Sequence, residues 1–168
     1  MDPEALDFAE FYRSSWGPCL KAVLASQSDD QKAEEQVAEA FARALAAWSR
    51  VRHHPAPRAW VVRTALNLGV SWWRRHRREV PLTGAGPVGP VVPELAVDDR
   101  LLDAIRRLPG REREVVVLRL VLDMDTATTA SQLGIAPGTV RAHLSRAVAA
   151  LRLALPQYRE EMEAAHAR

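Results

Sequence analysis

Residues 81–97, PLTGAGPVGPVVPELAV, carry four prolines and three glycines in 17 positions with a single charge, Glu94. A proline inside a helix removes a backbone donor and clashes with the preceding turn, so no regular element survives this density of breakers. The stretch predicts a division into residues 1–80, a connector 81–97, a second part 98–155 and a tail 156–168, with the connector's valines suited to lying in a groove. With 168 residues and 48% of them apolar, the chain can bury at least one modest core, which excludes wholesale disorder.

Outside the connector, apolar residues recur every three or four positions and nowhere alternate with period two, so the predicted fold is all-α: two small helical domains without an internal repeat. Leu6, Phe8, Phe11, Tyr12, Leu20, Val23 and Leu24 make a first amphipathic helix, bent or interrupted at Gly17-Pro18. A second begins near Ser28, whose hydroxyl caps free amides while Asp29 and Asp30 face the positive end of the dipole; its stripe is Val37, Phe41, Ala44, Leu45 and Trp48. A third follows Pro55-Ala56-Pro57 and runs through Trp60, Thr64, Leu68 and Trp72 to about Arg78. Further on, a helix over 99–108 gathers Leu101, Leu102, Ile105 and Leu108 on one face, and a helix over 111–122 offers Val115, Val116, Leu118 and Val121 for burial.

The 23 basic and 21 acidic residues leave a net charge of only +2, which by itself argues against a nucleic-acid partner. Position reverses that impression. Residues 1–39 hold nine acidic and three basic residues, whereas 40–80 hold nine arginines and one acid, Glu79. Between Asp125 and Glu160 there is no carboxylate, while Arg141, His143, Arg146, Arg152 and Arg159 fall in the gap. Two separated basic surfaces are thus predicted, together with an acidic one. A lone cysteine, Cys19, excludes an internal disulfide, and no Cys/His set has metal-ligand spacing. No cofactor motif or catalytic constellation is present, so an enzyme is not expected. The acidic start (Asp2, Glu4) and the lack of an apolar run near the roughly 20 residues of a membrane span predict a cytoplasmic chain with no membrane insertion.

Residues 125–146, DTATTASQLGIAPGTVRAHLSR, have helix-turn-helix spacing. Asp125 can cap the first helix, Ala130 is small where two helices approach, Gly134 suits a left-handed end, and Pro137 sits well in the first turn of the next helix. Val140, Leu144, Val148 and Leu151 point one face of that helix inward. Thr139, Arg141, Ala142, His143, Ser145 and Arg146 are left outward, an acid-free face that fits a major groove. The plainer alternative is a helical hairpin with a solvated face, which the absence of acids disfavours.

In the first part, Trp72–Glu79 (WWRRHRRE) ends its helix with Arg74, Arg75, Arg77 and Arg78, and the preceding loop adds Arg50, Arg52, His53, His54 and Arg58. Trp60, Trp72 and Trp73 lie in this basic span, where an aromatic face can stack an unpaired base for roughly 1–3 kcal/mol. Trp48 and one of the later tryptophans fall on apolar stripes and are assigned to the core. The second helix instead carries Glu34, Glu35, Gln36 and Glu39, a face DNA would repel and a protein could accept.

These residues bear a recognisable pattern. Lys32–Trp48, KAEEQVAEAFARALAAW, resembles the core-polymerase-binding helix of bacterial sigma factors. Pro57–Glu79, PRAWVVRTALNLGVSWWRRHRRE, resembles the helix that melts and reads the minus-ten element, and Leu101–Leu155, with LPGREREVVVLRL and LGIAPGTVRAHLSRAVAALR, resembles the domain that reads the minus-thirty-five element. The arrangement is similar to the extracytoplasmic-function group. The resemblance implies a non-catalytic promoter-specificity subunit, with core RNA polymerase and promoter DNA as partners and an anti-sigma factor as a candidate third. It places Glu35, Ala38, Glu39 and neighbours such as Glu34 against the polymerase clamp helices. Asn67 and the 52–60 loop would lie near the non-template strand, and Arg141, His143 and Arg146 in the major groove, with the connector threading toward the RNA-exit path. Ala38 stands where glutamine is common, Ser71 where aspartate is common, and Thr128-Thr129 where a Glu-Ile pair is usual, so that Thr129 brings a hydroxyl to a core-facing position. Residues 108–152 also resemble the DNA-binding domain of LuxR-type activators, with the first half then a sensor; the arginine-rich Trp72–Glu79 discriminates, since a sensor has no need of it.

Overall fold

The computed structural model describes residues 3–27, 29–76 and 98–156, so the connector, Arg77, Arg78 and the tail from residue 157 lie outside the described residues. Among those described there are helices and no strands, as the spacing of apolar residues predicts. The chain divides into two compact units, residues 1–23 with 29–95 and residues 24–28 with 96–168.

The first unit is built from α1 (Pro3–Ser26) as far as Val23, α2 (Asp30–Ala46), the single turn α3 (Trp48–Val51) and α4 (Pro57–His76). An aromatic cluster holds α1 to the next two helices. Trp48 meets Phe8 edge-on at 5.2 Å and Phe11 at 5.1 Å, while Phe41 meets Tyr12 edge-on at 4.9 Å and stacks with Trp16 at 5.7 Å. Such pairs add roughly 0.5–1.5 kcal/mol each beyond the area they bury. Ala33, Val37, Ala40, Phe41 and Ala44 form the inward stripe of α2, which packs along α4 on Ala59, Val61, Val62 and Ala65.

Four local expectations change. The helix α1 is not interrupted at Gly17-Pro18 but continues through Pro18. Proline at that position leaves the Ser14 carbonyl without its usual i+4 donor, and Nη2 of Arg58 supplies one at 3.1 Å. The cap of α2 is Asp29, whose carboxylate accepts from the Lys32 backbone N–H at 3.2 Å, while Ser28 lies outside the described residues. Leu45 is exposed rather than part of the stripe, because α2 ends at Ala46 and the chain turns at Ala47 before Trp48 enters the core. Trp60, Thr64 and Leu68 are half-exposed, the buried positions of α4 lying a residue or so to either side.

The second unit contains α5 (Asp99–Arg106), α6 (Gly110–Val116), a π-helical turn Val117–Val121, α7 (Thr126–Leu133) and α8 (Pro137–Ala154). The single helix expected over 111–122 therefore widens in its second half. Within this turn Arg119 is buried with its guanidinium donating to the Met124 carbonyl, and beyond it Asp123 takes a left-handed φ of 51°. The widened turn and the reversal after it set the start of α7. Leu102, Ile105, Val115, Val116, Leu118, Val140, Leu144, Val148 and Leu151 close the core.

Candidate nucleic-acid interface

In the first unit, the side of α2 turned from the core exposes Glu34, Glu35 and Glu39, with Ala38 half-buried beside them. Gln36 does not belong to that face. It turns toward α4, where its amide nitrogen would lie 2.8 Å from a Cβ built on Gly69, and its Oε1 is buried without a partner. Glycine at 69 is what allows the two helices to approach around this amide. At the start of α2, the Lys32 side chain above all, with its backbone N–H, holds the Asp29 carboxyl below its ordinary value.

The end of α2, α3 and the first three turns of α4 line an open pocket of about 550 Å³ formed by Arg43, Ala47, Arg50, Trp60, Thr64, Asn67 and Leu68. Trp60 and Asn67, singled out from the sequence, therefore meet in one site. Arg43 was not foreseen there: it lies on α2 and Arg50 on α3, and the turn at Ala47 between them leaves both lining the same pocket. Nε of Arg43 pairs with Glu39 at 2.9 Å, which ties the acidic face to the pocket rim. The lining offers an aromatic ring, an amide with both donor and acceptor, and two guanidinium groups, a set that suits an unstacked base and its phosphate.

The loop between α3 and α4 fixes two histidines in opposite tautomers. Nδ1 of His53 faces the Ser49 carbonyl at 2.9 Å and must carry the proton. Nδ1 of His54 instead accepts from the Ala56 backbone N–H at 3.0 Å. In their neutral forms His53 therefore keeps Nε2 as an acceptor and His54 keeps Nε2–H as a donor. Arg52 and Arg58 of the same predicted set are engaged inside the unit. Arg52 pairs with Asp7 at 3.1 Å, and Arg58 donates to Ser15 Oγ at 3.1 Å as well as to the Ser14 carbonyl. Arg74 and Arg75 lie in the last turn of α4, while Arg77 and Arg78 fall outside the described residues.

Cys19 is fully buried, and burial pushes its thiol up to about 12 against the opposing pull of Arg58. A thiol so held is a packing group and not a nucleophile.

In the second unit, Asp125 caps α7 by accepting from the Thr128 N–H at 2.7 Å, a bond that holds its carboxyl below the ordinary value. Gly134 ends α7 at φ 64°, and Pro137 opens α8. Val140, Leu144, Val148 and Leu151 are buried, so Thr139, Arg141, Ala142, Ser145 and Arg146 face outward with His143 half-buried among them. Thr129 is fully buried and its hydroxyl has no partner, as its core-facing position implied.

Comparison with known proteins identifies the family to which both units belong. A family model described as sigma-70 region 2 matches residues 14–79, and one described as sigma-70 region 4 matches residues 98–151. The RNA polymerase sigma-E factor of Streptomyces coelicolor is 32% identical over 152 residues, which span 89% of this chain and 86% of that protein. The ECF RNA polymerase sigma factor SigL of Mycobacterium tuberculosis is 35% identical over 143 residues, or 80% and 81% of the two chains. The chain belongs to the extracytoplasmic-function sigma factors. Its likeness to the sigma factor RpoE of Bartonella quintana, solved with the anti-sigma factor NepR, is one of fold: TM-score 0.67 at 21% identity over 90% of this chain and 98% of that one. A sigma factor binds core RNA polymerase and promoter DNA and is itself no enzyme. Since region 2 accounts for the first half of this sigma factor, the LuxR-type alternative is set aside. Among the described residues no helix is long and apolar enough to cross a membrane.

Proposed function

We propose that this sigma factor acts in the cytoplasm with its surfaces divided by partner, and that promoter recognition depends on the polymerase holding two basic faces in register. Residues 1–80 dock on core polymerase through Glu34, Glu35, Ala38 and Glu39. The same domain engages the minus-ten element through Trp60 and Asn67 in the pocket, the histidine loop, and Arg52, Arg58, Arg74, Arg75, Arg77 and Arg78. Residues 98–155 present Thr139, Arg141, Ala142, His143, Ser145 and Arg146 to the minus-thirty-five element, and 81–97 join the two.

The observation that carries this reading is the pocket beside the acidic helix. A ring, an amide and two guanidinium groups converge there, and Arg43 is bound to the Glu39 of the proposed docking face. Arg52 and Arg58 contribute by shaping the loop, since both are held by partners in the unit. An anti-sigma partner is part of the proposal, suggested by the complex in which the Bartonella protein of the same fold was solved.

The test is promoter melting. The purified chain alone should shift a promoter duplex weakly, and adding core polymerase should give permanganate-reactive thymines across the minus-ten element and a run-off transcript. Tight sequence-specific binding without polymerase, with no transcript in its presence, would overturn the assignment of surfaces.

A further inference from the structure

On the outward face of α8, Arg146 is held from two sides. Its Nε donates to Oε1 of Glu112 on α6 at 3.1 Å, and its Nη2 lies 2.9 Å from Nδ1 of His143, one turn earlier on α8. The Glu112 side chain is only 14% exposed, so this carboxylate is a fixed anchor and not a wandering surface charge. A guanidinium has donors only. His143 Nδ1 must therefore be the acceptor, which in the neutral ring leaves the proton on Nε2.

We propose that Glu112 and Arg146 act as positioning residues that lock His143 in the Nε2–H tautomer, and that His143 thereby selects a base edge carrying an acceptor in the minus-thirty-five element. The proposal rests on the reading that α8 lies in the major groove. A donor there is satisfied by guanine N7 or O6, adenine N7 or thymine O4, and meets a second donor in the amino group of cytosine. Glu112 and His143 occupy Nε and one Nη2 hydrogen of Arg146, so Nη1 and the other Nη2 hydrogen are left for a phosphate or a second base. If Glu112 is removed, the guanidinium is free to rotate, Nδ1 loses its fixed donor, and the ring can present either nitrogen as the donor.

Two measurements on the full chain separate this proposal from the reading beneath it. Long-range nitrogen–proton NMR of the His143 ring, in a buffer alkaline enough to keep it neutral, should show the proton on Nε2 in the wild type and a mixture of tautomers in Glu112→Ala. Glu112→Gln, which retains an acceptor oxygen, should restore the wild-type pattern. Transcription by the reconstituted polymerase from a promoter pool randomised in the minus-thirty-five element should show one position that disfavours cytosine. Glu112→Ala and His143→Ala should relax that position by roughly five- to tenfold, with the others unchanged. A wild-type proton on Nδ1 overturns the proposal, as does an unaltered preference in both variants while Arg141→Ala still changes promoter choice. If no substitution on α8, Arg141→Ala included, changes the preference, it is the placement of α8 that fails.

Discussion

Arg58 carries the charge and neighbourhood of a DNA-contacting residue, yet its guanidinium repairs the helix that Pro18 would otherwise break. Replacing it with alanine leaves the Ser14 carbonyl and the Ser15 hydroxyl without this donor. The expected cost is about 1–2 kcal/mol of stability in the first unit, read by denaturant unfolding, where a purely DNA-contacting arginine would show none. Thr129 makes the opposite case. Its hydroxyl is fully buried and unpartnered, so Thr129→Val should stabilise the second unit by about 1 kcal/mol, seen as a higher denaturation midpoint at unchanged slope. The hydroxyl's core-facing position was legible from spacing, because Thr129 falls on the inner side of a short helix. The role of Arg58 was not, because it depends on a carbonyl 44 residues away in the chain.

At the scale of elements, the reversal from α7 to α8 shows local chemistry at its most readable. Asp125, Gly134 and Pro137 each do what their residue type favours, and Val140, Leu144, Val148 and Leu151 of α8 are all inside. Gly134→Ala should cost about 1 kcal/mol, since the left-handed φ of 64° opposes a Cβ even though no neighbouring atom does, and a lowered unfolding midpoint would register it. The cap also makes α7 sensitive to acid. The Asp125 carboxyl is held below its ordinary 3.8 in the folded state, so its contribution is complete above that value and is lost as the pH falls past 3.8 toward the depressed one. An acid titration of wild type against Asp125→Asn should therefore diverge above this window and converge below it. By contrast, the π-helical turn at Val117–Val121 left no trace in the periodicity, which is too coarse to register one extra residue in a turn.

For the whole molecule, the arrangement of charge explains a near-neutral sum. On the proposed division of surfaces, the acidic side of α2 repels DNA while two basic faces attract it, and a net charge of +2 gives little long-range steering to a duplex. Reversing the acidic face by Glu35→Lys with Glu39→Lys should weaken capture of core polymerase, measured by competition against wild type, and raise the affinity of the isolated chain for non-specific DNA. That second gain should fade steeply with added salt, because it rests on phosphate contacts. Sequence by itself determined the helical class, the acidic side of α2 and the helix-turn-helix, since each follows from residue type and spacing within a few turns. Tertiary structure alone decided which polar groups remain available. Arg58 and Arg52 are bound within the first unit, Gln36 turns from the acidic face to the Gly69 contact, Arg43 joins Trp60 and Asn67 around one cavity, and Glu112 reaches Arg146 from another helix. The reason is physical: a side chain's charge and size are written locally, but its hydrogen-bond partners are set by which helices pack together, and that is known only once the chain has folded.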